Sequence, residues 1–144
     1  MNKKDIEAAM KAYREVMRRS AGIEEEMRAL EGGELDAPEF AKRLAVEAAT
    51  LDELARELKI LQLPSQEGDR FVYPAWQIHQ SALLPGLQKV LTILAEKRTD
   101  PLSLAWFFLL PRDTINQERP LDLLRRGEVE AAVMAAVREG EMGQ

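Results

Sequence analysis

The chain contains few residues whose type and spacing could do chemistry. His79 is the single histidine, and no cysteine or acidic pair stands near it at the spacing of a metal or catalytic motif. We therefore interpret His79 as a locally hydrogen-bonded side chain. The sequence also lacks G-x-S-x-G, H-E-x-x-H and any Gly-rich phosphate loop. This pattern predicts a protein that is not an enzyme and that carries no cofactor and no metal.

Two further groups could bind a ligand, but their settings favour simpler roles. Glu24, Glu25 and Glu26 could hold a divalent ion, yet consecutive residues of a helix point in different directions. We interpret them as part of a solvated helix face. Trp76 and Trp106 could stack on a ligand, but each stands among aliphatic residues. Both tryptophans are therefore predicted to lie in the core.

Composition narrows the class of protein. The 144 residues are 46% hydrophobic and 31% charged, which is typical of one globular domain-sized chain. A net charge of −5 argues against a protein that coats nucleic acid generally. The lack of cysteine excludes disulfides and thiol catalysis and fits a reducing cytoplasm. The first residues lack a signal-peptide pattern, and residues 102–110 are too short an apolar run to span a bilayer. We expect a soluble cytoplasmic protein that does not bind membranes.

The first quarter of the chain predicts helix over residues 3–31, either as one long helix or as two halves that meet near Gly22. Ile6, Met10, Tyr13 and Met17 follow a 4-3-4 spacing that places them on one stripe. Two glycines at 32–33 end the helix, and residues 1–33 form the first predicted region. Two roles stay open for it, since the stripe could pack on the body of the protein or pair with another copy.

Residues 34–73 predict a helix-turn-helix with a wing-like β-hairpin. Asp36 is a helix N-cap, and a second helix starts near Thr50 with its apolar face running to Leu61. About four residues join the helices, and Ala45 occupies the turn position where glycine is usual. Two apolar runs at 60–63 and 70–73 then bracket a polar turn that contains glycine.

This region could read DNA or serve only as a packing or dimerisation scaffold. The second helix of such a motif enters the major groove, and here its start carries Glu47, Asp52 and Glu53. Residues 34–62 hold four basic and seven acidic side chains, a net charge of −3. Carboxylates repel phosphates, so the charge disfavours DNA binding. If operator DNA is bound, the basic candidates are Lys42, Arg43, Arg56 and Lys59.

Residues 74–144 predict a bundle of about four short helices, which makes the fold class mainly α. The stretch 100–133 holds two apolar segments headed by proline, a polar loop and a glycine before the last amphipathic run. The segment 101–110 is apolar nearly all round and is predicted to be central. Physically, the region is typical of a helical binding unit without catalysis.

Four segments of this region carry a family resemblance: YPAWQ at 73–77, LPGL at 84–87, DPLSLAWFFLLP at 100–111 and RPLDLLRRG at 119–127. On these residues, the C-terminal half resembles the toxin-binding domain of the Xre/MbcA/ParS family of bacterial antitoxins. Such domains commonly follow a helix-turn-helix in the chain. Here too, the resembling region comes after a predicted helix-turn-helix. The resemblance covers about residues 73–137.

The resemblance implies a partner and a docking surface. The partner would be a RES-domain toxin that consumes NAD, and the helix-turn-helix would mediate autorepression. The tail from Arg138 onward would block the active site of the toxin. The implied contact residues are Pro120, Leu121, Leu124, Arg125, Arg126 and Arg138. Two alternatives stay open, a DNA-binding regulator without a toxin and a non-catalytic homodimeric scaffold held through residues 3–31.

Overall fold

The computed structural model describes residues 2–97 and 100–139. The chain divides into two compact units, 1–30 and 31–144. Within the described residues, the predicted mainly-α class is confirmed: a long N-terminal helix and a helix-turn-helix precede four short C-terminal helices, with a small antiparallel β part. None of the helices in these ranges is long and apolar enough to cross a membrane.

The first unit is the helix α1, Lys3–Ala29. Asn2 caps it, since the Asn2 side chain accepts a hydrogen bond of 2.9 Å from the backbone N–H of Asp5. The helix ends before Glu31, whose φ of +55° is left-handed and turns the chain ahead of the two glycines. Of the two possibilities that the sequence left open, the structure shows one continuous helix through Gly22.

The helix-turn-helix consists of α2, Ala37–Leu44, and α3, Leu51–Arg56. A left-handed Ala45 (φ +61°) ends α2, and the next N–H, that of Val46, bonds back to the carbonyl of Ala41 at 3.0 Å. A 3-10 turn over Ala48–Thr50 leads into α3. The prediction that this helix runs to Leu61 was wrong. A left-handed Leu58 (φ +60°) closes the helix early.

Three short strands form the wing. They are β1, Glu34–Leu35, β2, Leu63–Pro64, and β3, Phe71–Pro74, in the antiparallel order β1-β3-β2. Leu63 pairs with Val72, and Leu35 pairs with Tyr73. The predicted hairpin is therefore present as β2 and β3. Strand β1, which has only two residues, was not predicted from the sequence.

The remaining elements build the C-terminal bundle. A second hairpin, β4 Ile78–His79 and β5 Ala82–Leu83, precedes the helices of this bundle. The helices are α4 Leu87–Ala95, α5 Pro101–Leu109, α6 Pro120–Arg125 and α7 Val129–Val137. Helix α7 packs on both α4 and α6, and α5 packs on α6.

Contacts between aromatic rings mark the two parts of the core in residues 31–144. Phe40 of α2 stacks on Tyr73 of β3 with ring centroids 4.9 Å apart, which joins the helix-turn-helix to the wing. Trp76 lies 5.0 Å from Phe108, and Phe107 meets Phe108 edge to face at 5.5 Å. Trp76 is buried as predicted, whereas Trp106 is half-buried.

Candidate nucleic-acid interface

Packing between the helix-turn-helix and the wing leaves the outer side of α3 exposed. Phe40, Leu51, Ile60 and Tyr73 form one buried cluster on the inner side. The exposed residues on the other side include the whole 3-10 turn Ala48–Thr50 and three charged side chains of α3. A helix that presents its N-terminal residues in this way can enter a major groove.

Gln62 connects α3 with the wing. Its Nε2 donates to Asp52 Oδ1 at 2.7 Å and to the hydroxyl oxygen of Tyr73 at 3.0 Å. The two bonds join the first turn of α3 to the central strand β3. Because the carboxylate of Asp52 accepts the first of these bonds, it is not fully available to bind a ligand.

The four basic residues predicted for DNA binding are all exposed. Lys42 and Arg43 lie in the last turn of α2, and Arg43 Nε donates to Glu39 Oε1 at 3.0 Å. Arg56 is the last residue of α3. Lys59 lies just beyond it, with its Nζ 3.4 Å from Glu57 Oε1.

Arg70 is a fifth basic candidate, which the sequence reading missed. It lies at the tip of the wing, where its side chain is 60% exposed and its NH1 is 4.0 Å from Asp69 Oδ1. The backbone N–H of Ser65 bonds to the carbonyl of Arg70 at 2.9 Å and closes the tip. The signal for Arg70 was its place at the end of a predicted wing, a position from which a side chain can reach a phosphate.

The charge of this region is acidic overall. Residues 34–74 contain five basic and nine acidic side chains, a net charge of −4. Such a balance weakens attraction to the phosphates of any duplex. Tight binding here would depend on contacts with base edges.

No protein-family model matches this chain, and no curated protein matches it. Its fold is similar to a solved structure, the NMR structure of Rv2175c. The TM-score is 0.60 at 22% identity, and the match covers 75% of this chain and 81% of that one. At this identity the similarity shows the fold alone. The resemblance to antitoxins therefore rests only on the four sequence segments.

Half of the residues predicted to dock on a toxin are buried. Pro120, Leu121 and Leu124 lie inside the bundle, the two leucines with no exposed surface. Helix α6 is only six residues long and packs on both α5 and α7, so its leucines face the core. The substitution Leu124→Asp would bury a charge and would report misfolding rather than lost binding.

The three predicted arginines remain at the surface to different degrees. Arg126 and Arg138 are exposed and Arg125 is half-buried. Arg126 is held by Glu118 at 2.7 Å and by Glu128 at 2.6 Å. Residues 140–144 of the predicted blocking tail lie outside the described residues.

Arg125 belongs to an ion-pair network that sequence reading did not find. Glu31 accepts from Arg119 at 2.8 Å and from Arg125 at 3.1 Å. Arg119 also forms a two-pronged pair with Asp122, at 2.9 and 2.8 Å. Hydrogen bonds from Arg119 lower the pKa of both Glu31 and Asp122 below their usual range. A partner that uses Arg125 would have to compete with Glu31.

This network predicts a stability effect that depends on pH. Glu31→Gln is expected to lower the free energy of unfolding by about 1 kcal/mol at pH 7, a modest value because the pair is partly solvated. The pKa of Glu31 is lower in the folded chain, so its stabilisation is complete above the unfolded pKa. It is lost as the pH falls through the folded pKa. The measurement is urea unfolding of both proteins at pH 7 and pH 3.

The matched control is Glu67→Gln, which removes an exposed carboxylate from the wing tip. It should leave stability within about 0.5 kcal/mol of the parent protein. A Glu31→Gln deficit that stays constant from pH 7 to pH 3 would contradict an ionic origin.

Proposed function

We propose that this chain is a non-catalytic protein that binds double-stranded DNA of selected sequence through a winged helix-turn-helix. One observation carries the proposal: α2 and α3 meet at a left-handed turn and are held against an antiparallel wing, while α3 and the wing tip stay exposed. This arrangement can place a helix in the major groove and a hairpin against the backbone. The proposed site of action is the cytoplasm.

The side chains divide into two sets under this proposal. The five basic residues contact phosphates and set the orientation of the protein on the duplex: Lys42, Arg43, Arg56, Lys59 and Arg70. Glu53 is exposed near the start of α3 and can accept a hydrogen bond from cytosine N4. Ala49 is exposed in the 3-10 turn before α3 and offers a methyl group to thymine. The acidic surplus weakens attraction to every duplex, so tight binding requires a sequence that supplies these base contacts.

The direct test is selection from a randomised duplex pool at low salt, followed by fluorescence anisotropy on the enriched duplex. Arg56→Glu is expected to weaken binding about tenfold or more, because a phosphate contact becomes a repulsion. The slope of log affinity against log salt should fall by about 1. Absence of an enriched sequence at low salt would refute the proposal.

Lys89→Glu is the matched control for that variant. It makes the same charge change on α4, where Lys89 forms an exposed pair with Glu130 at 3.1 Å. It should change the affinity for the enriched duplex less than twofold, because Lys89 lies outside the winged motif. The fold should be kept, since an exposed ion pair contributes little to stability. Equal losses in Arg56→Glu and Lys89→Glu would show that binding reflects net charge and not the motif.

A second proposal follows from the resemblance: the C-terminal helices bind and neutralise a RES-domain toxin. The observation that favours it is on α7, where Met134 and Val137 are 45% and 41% exposed and the exposed Arg138 follows. Exposed apolar side chains beside an arginine are typical of interface anchors. In this proposal α7 and Arg126 provide the contact surface in place of the buried leucines.

Co-expression with a RES-domain protein encoded beside this chain tests the second proposal. We expect a stable complex and restored growth, both lost in Met134→Asp. Since Met134 is exposed, this variant should keep its fold, which circular dichroism can verify. Val46→Asp is the control, because Val46 is similarly exposed but belongs to the helix-turn-helix. If no complex forms, the toxin proposal fails and the DNA proposal is unaffected.

A further inference from the structure

Helix α1 carries a row of large apolar side chains on its surface. No residue of α1, all of which the structure describes, is buried. Six of its large apolar side chains are between 45% and 65% exposed: Ile6, Met10, Tyr13, Val16, Met17 and Ile23. Scattered apolar side chains are normal on a surface, but a continuous row along one helix marks an interaction site.

The row follows a seven-residue repeat. Ile6 and Tyr13 are seven residues apart, as are Met10 and Met17, and so are Val16 and Ile23. The three columns are neighbours on the helix surface. A sustained repeat of seven is the pattern of a left-handed supercoil with a second helix. The repeat occupies residues 6–23 of α1, where each column has two members, and the whole helix of 27 residues is about 40 Å long.

We propose that α1 pairs with α1 of a second copy of this chain, in the antiparallel direction. The charges beside the row indicate both the partner helix and the direction of pairing. One flank carries Asp5 and then Arg19, and the other carries Glu7 and then Arg14. Each flank is therefore acidic first and basic two to four turns later.

Antiparallel pairing sets opposite charges together on both flanks. In such pairs each flank of one helix faces the same flank of the other, so Asp5 meets Arg19 of the second copy and Glu7 meets its Arg14. Parallel pairing brings opposite flanks together at the same height and sets Asp5 beside Glu7. Like charges there are destabilising.

The same register also matches the apolar side chains. When Glu7 faces Arg14 of the second copy, Ile6 lies opposite Met17 and Met10 lies opposite Tyr13. Apolar layers and charged flanks thus agree on one alignment over residues 3–20. The inference does not rest on DNA or toxin binding, and it concerns only the N-terminal unit.

Mass and charge reversal test the pairing. Sedimentation equilibrium should give a mass of twice 16.3 kDa for the full chain. Arg14→Glu should raise the dimer dissociation constant at least tenfold, and the double variant Glu7→Arg/Arg14→Glu should restore it. Lys11→Glu makes the same charge change on the outward side of the helix and should have little effect. A monomeric full chain, or equal effects of Arg14→Glu and Lys11→Glu, would overturn the proposal.

Disulfide trapping tests the direction. The chain has no cysteine, so Ile6→Cys and Met17→Cys each introduce a single thiol. In the proposed dimer each new thiol lies about 16 Å along the axis from its own counterpart, too far for a disulfide. Neither variant should cross-link alone, and an equal mixture should. Cross-linking of each variant by itself would show parallel pairing and overturn the proposal.

Discussion

Gly86→Ala is expected to lower the free energy of unfolding by about 2–4 kcal/mol. Gly86 precedes α4 with a left-handed φ of +78°, a conformation that costs an alanine about 1 kcal/mol. An added Cβ would lie 2.7 Å from Val129 Cγ1 and 3.1 Å from Leu124 Cδ2. Overpacking of this kind typically costs about 1–3 kcal/mol more. Urea unfolding followed by circular dichroism measures the loss.

Two other glycines separate strain from crowding. Gly68 and Gly127 also have left-handed φ values, +76° and +81°, but an added Cβ would have no described atom within 4 Å. Gly68→Ala and Gly127→Ala should therefore cost only about 1 kcal/mol. Adding Val129→Ala to Gly86→Ala removes the crowding methyls and should recover part of the loss. Equal losses at all three glycines would contradict the packing argument.

The position of Gly86 also explains one of the segments shared with antitoxins. In LPGL at 84–87, the glycine allows α4 to start against Val129 and Leu124. That part of the resemblance has a packing reason and does not by itself indicate toxin binding.

Gln77→Met is expected to cost about 2–4 kcal/mol of unfolding free energy. Gln77 has no exposed surface, and its Oε1 accepts from the backbone N–H of Leu61 at 2.6 Å. Its Nε2 donates to the carbonyl oxygens of Leu61 at 3.0 Å and Pro74 at 3.2 Å. Methionine fills the same volume but leaves these buried groups without their partner, and each unsatisfied group costs about 1–3 kcal/mol. Urea unfolding measures the total loss.

Amide hydrogen exchange at Leu61 gives a local readout for the same variant. In Gln77→Met, the protection of this N–H against exchange should drop by more than the decrease in the free energy of global unfolding explains. Because Leu61 precedes Gln62, which joins α3 to the wing, DNA affinity should fall as well. Gln88→Met is the control, since the exposed Gln88 side chain donates a hydrogen bond to the carbonyl of Glu57 at the surface. A similar cost in both variants would show that the buried bonds contribute little.

Features that depend on residues close in the chain were predictable. The cap at Asp36 was predictable because a capping side chain accepts from an N–H only three residues away. The long α1, the helix-turn-helix and the four C-terminal helices follow from spacings of three and four residues. The four basic DNA candidates were found because charged side chains on short helices stay at the surface.

Contacts between distant residues were decided only by the tertiary structure. Gln77 is 16 residues from Leu61, and Glu31 is 94 residues from Arg125. No pattern of neighbouring residues in the sequence predicts such pairs. Likewise, the two residues of β1 form a strand because they pair with Tyr73 and Pro74, about forty residues further along the chain.

The leucines of α6 show the same division between sequence and structure. Pro120 and Gly127 predicted a short helix over residues 120–126, and the resemblance assigned Leu121 and Leu124 to a docking surface. Their apolar character was plain from the sequence alone. Only the packing of α5 and α7 on α6 determines that Leu121 and Leu124 are covered within this chain. An apolar face must be buried by some neighbour, but its own residues do not specify which one.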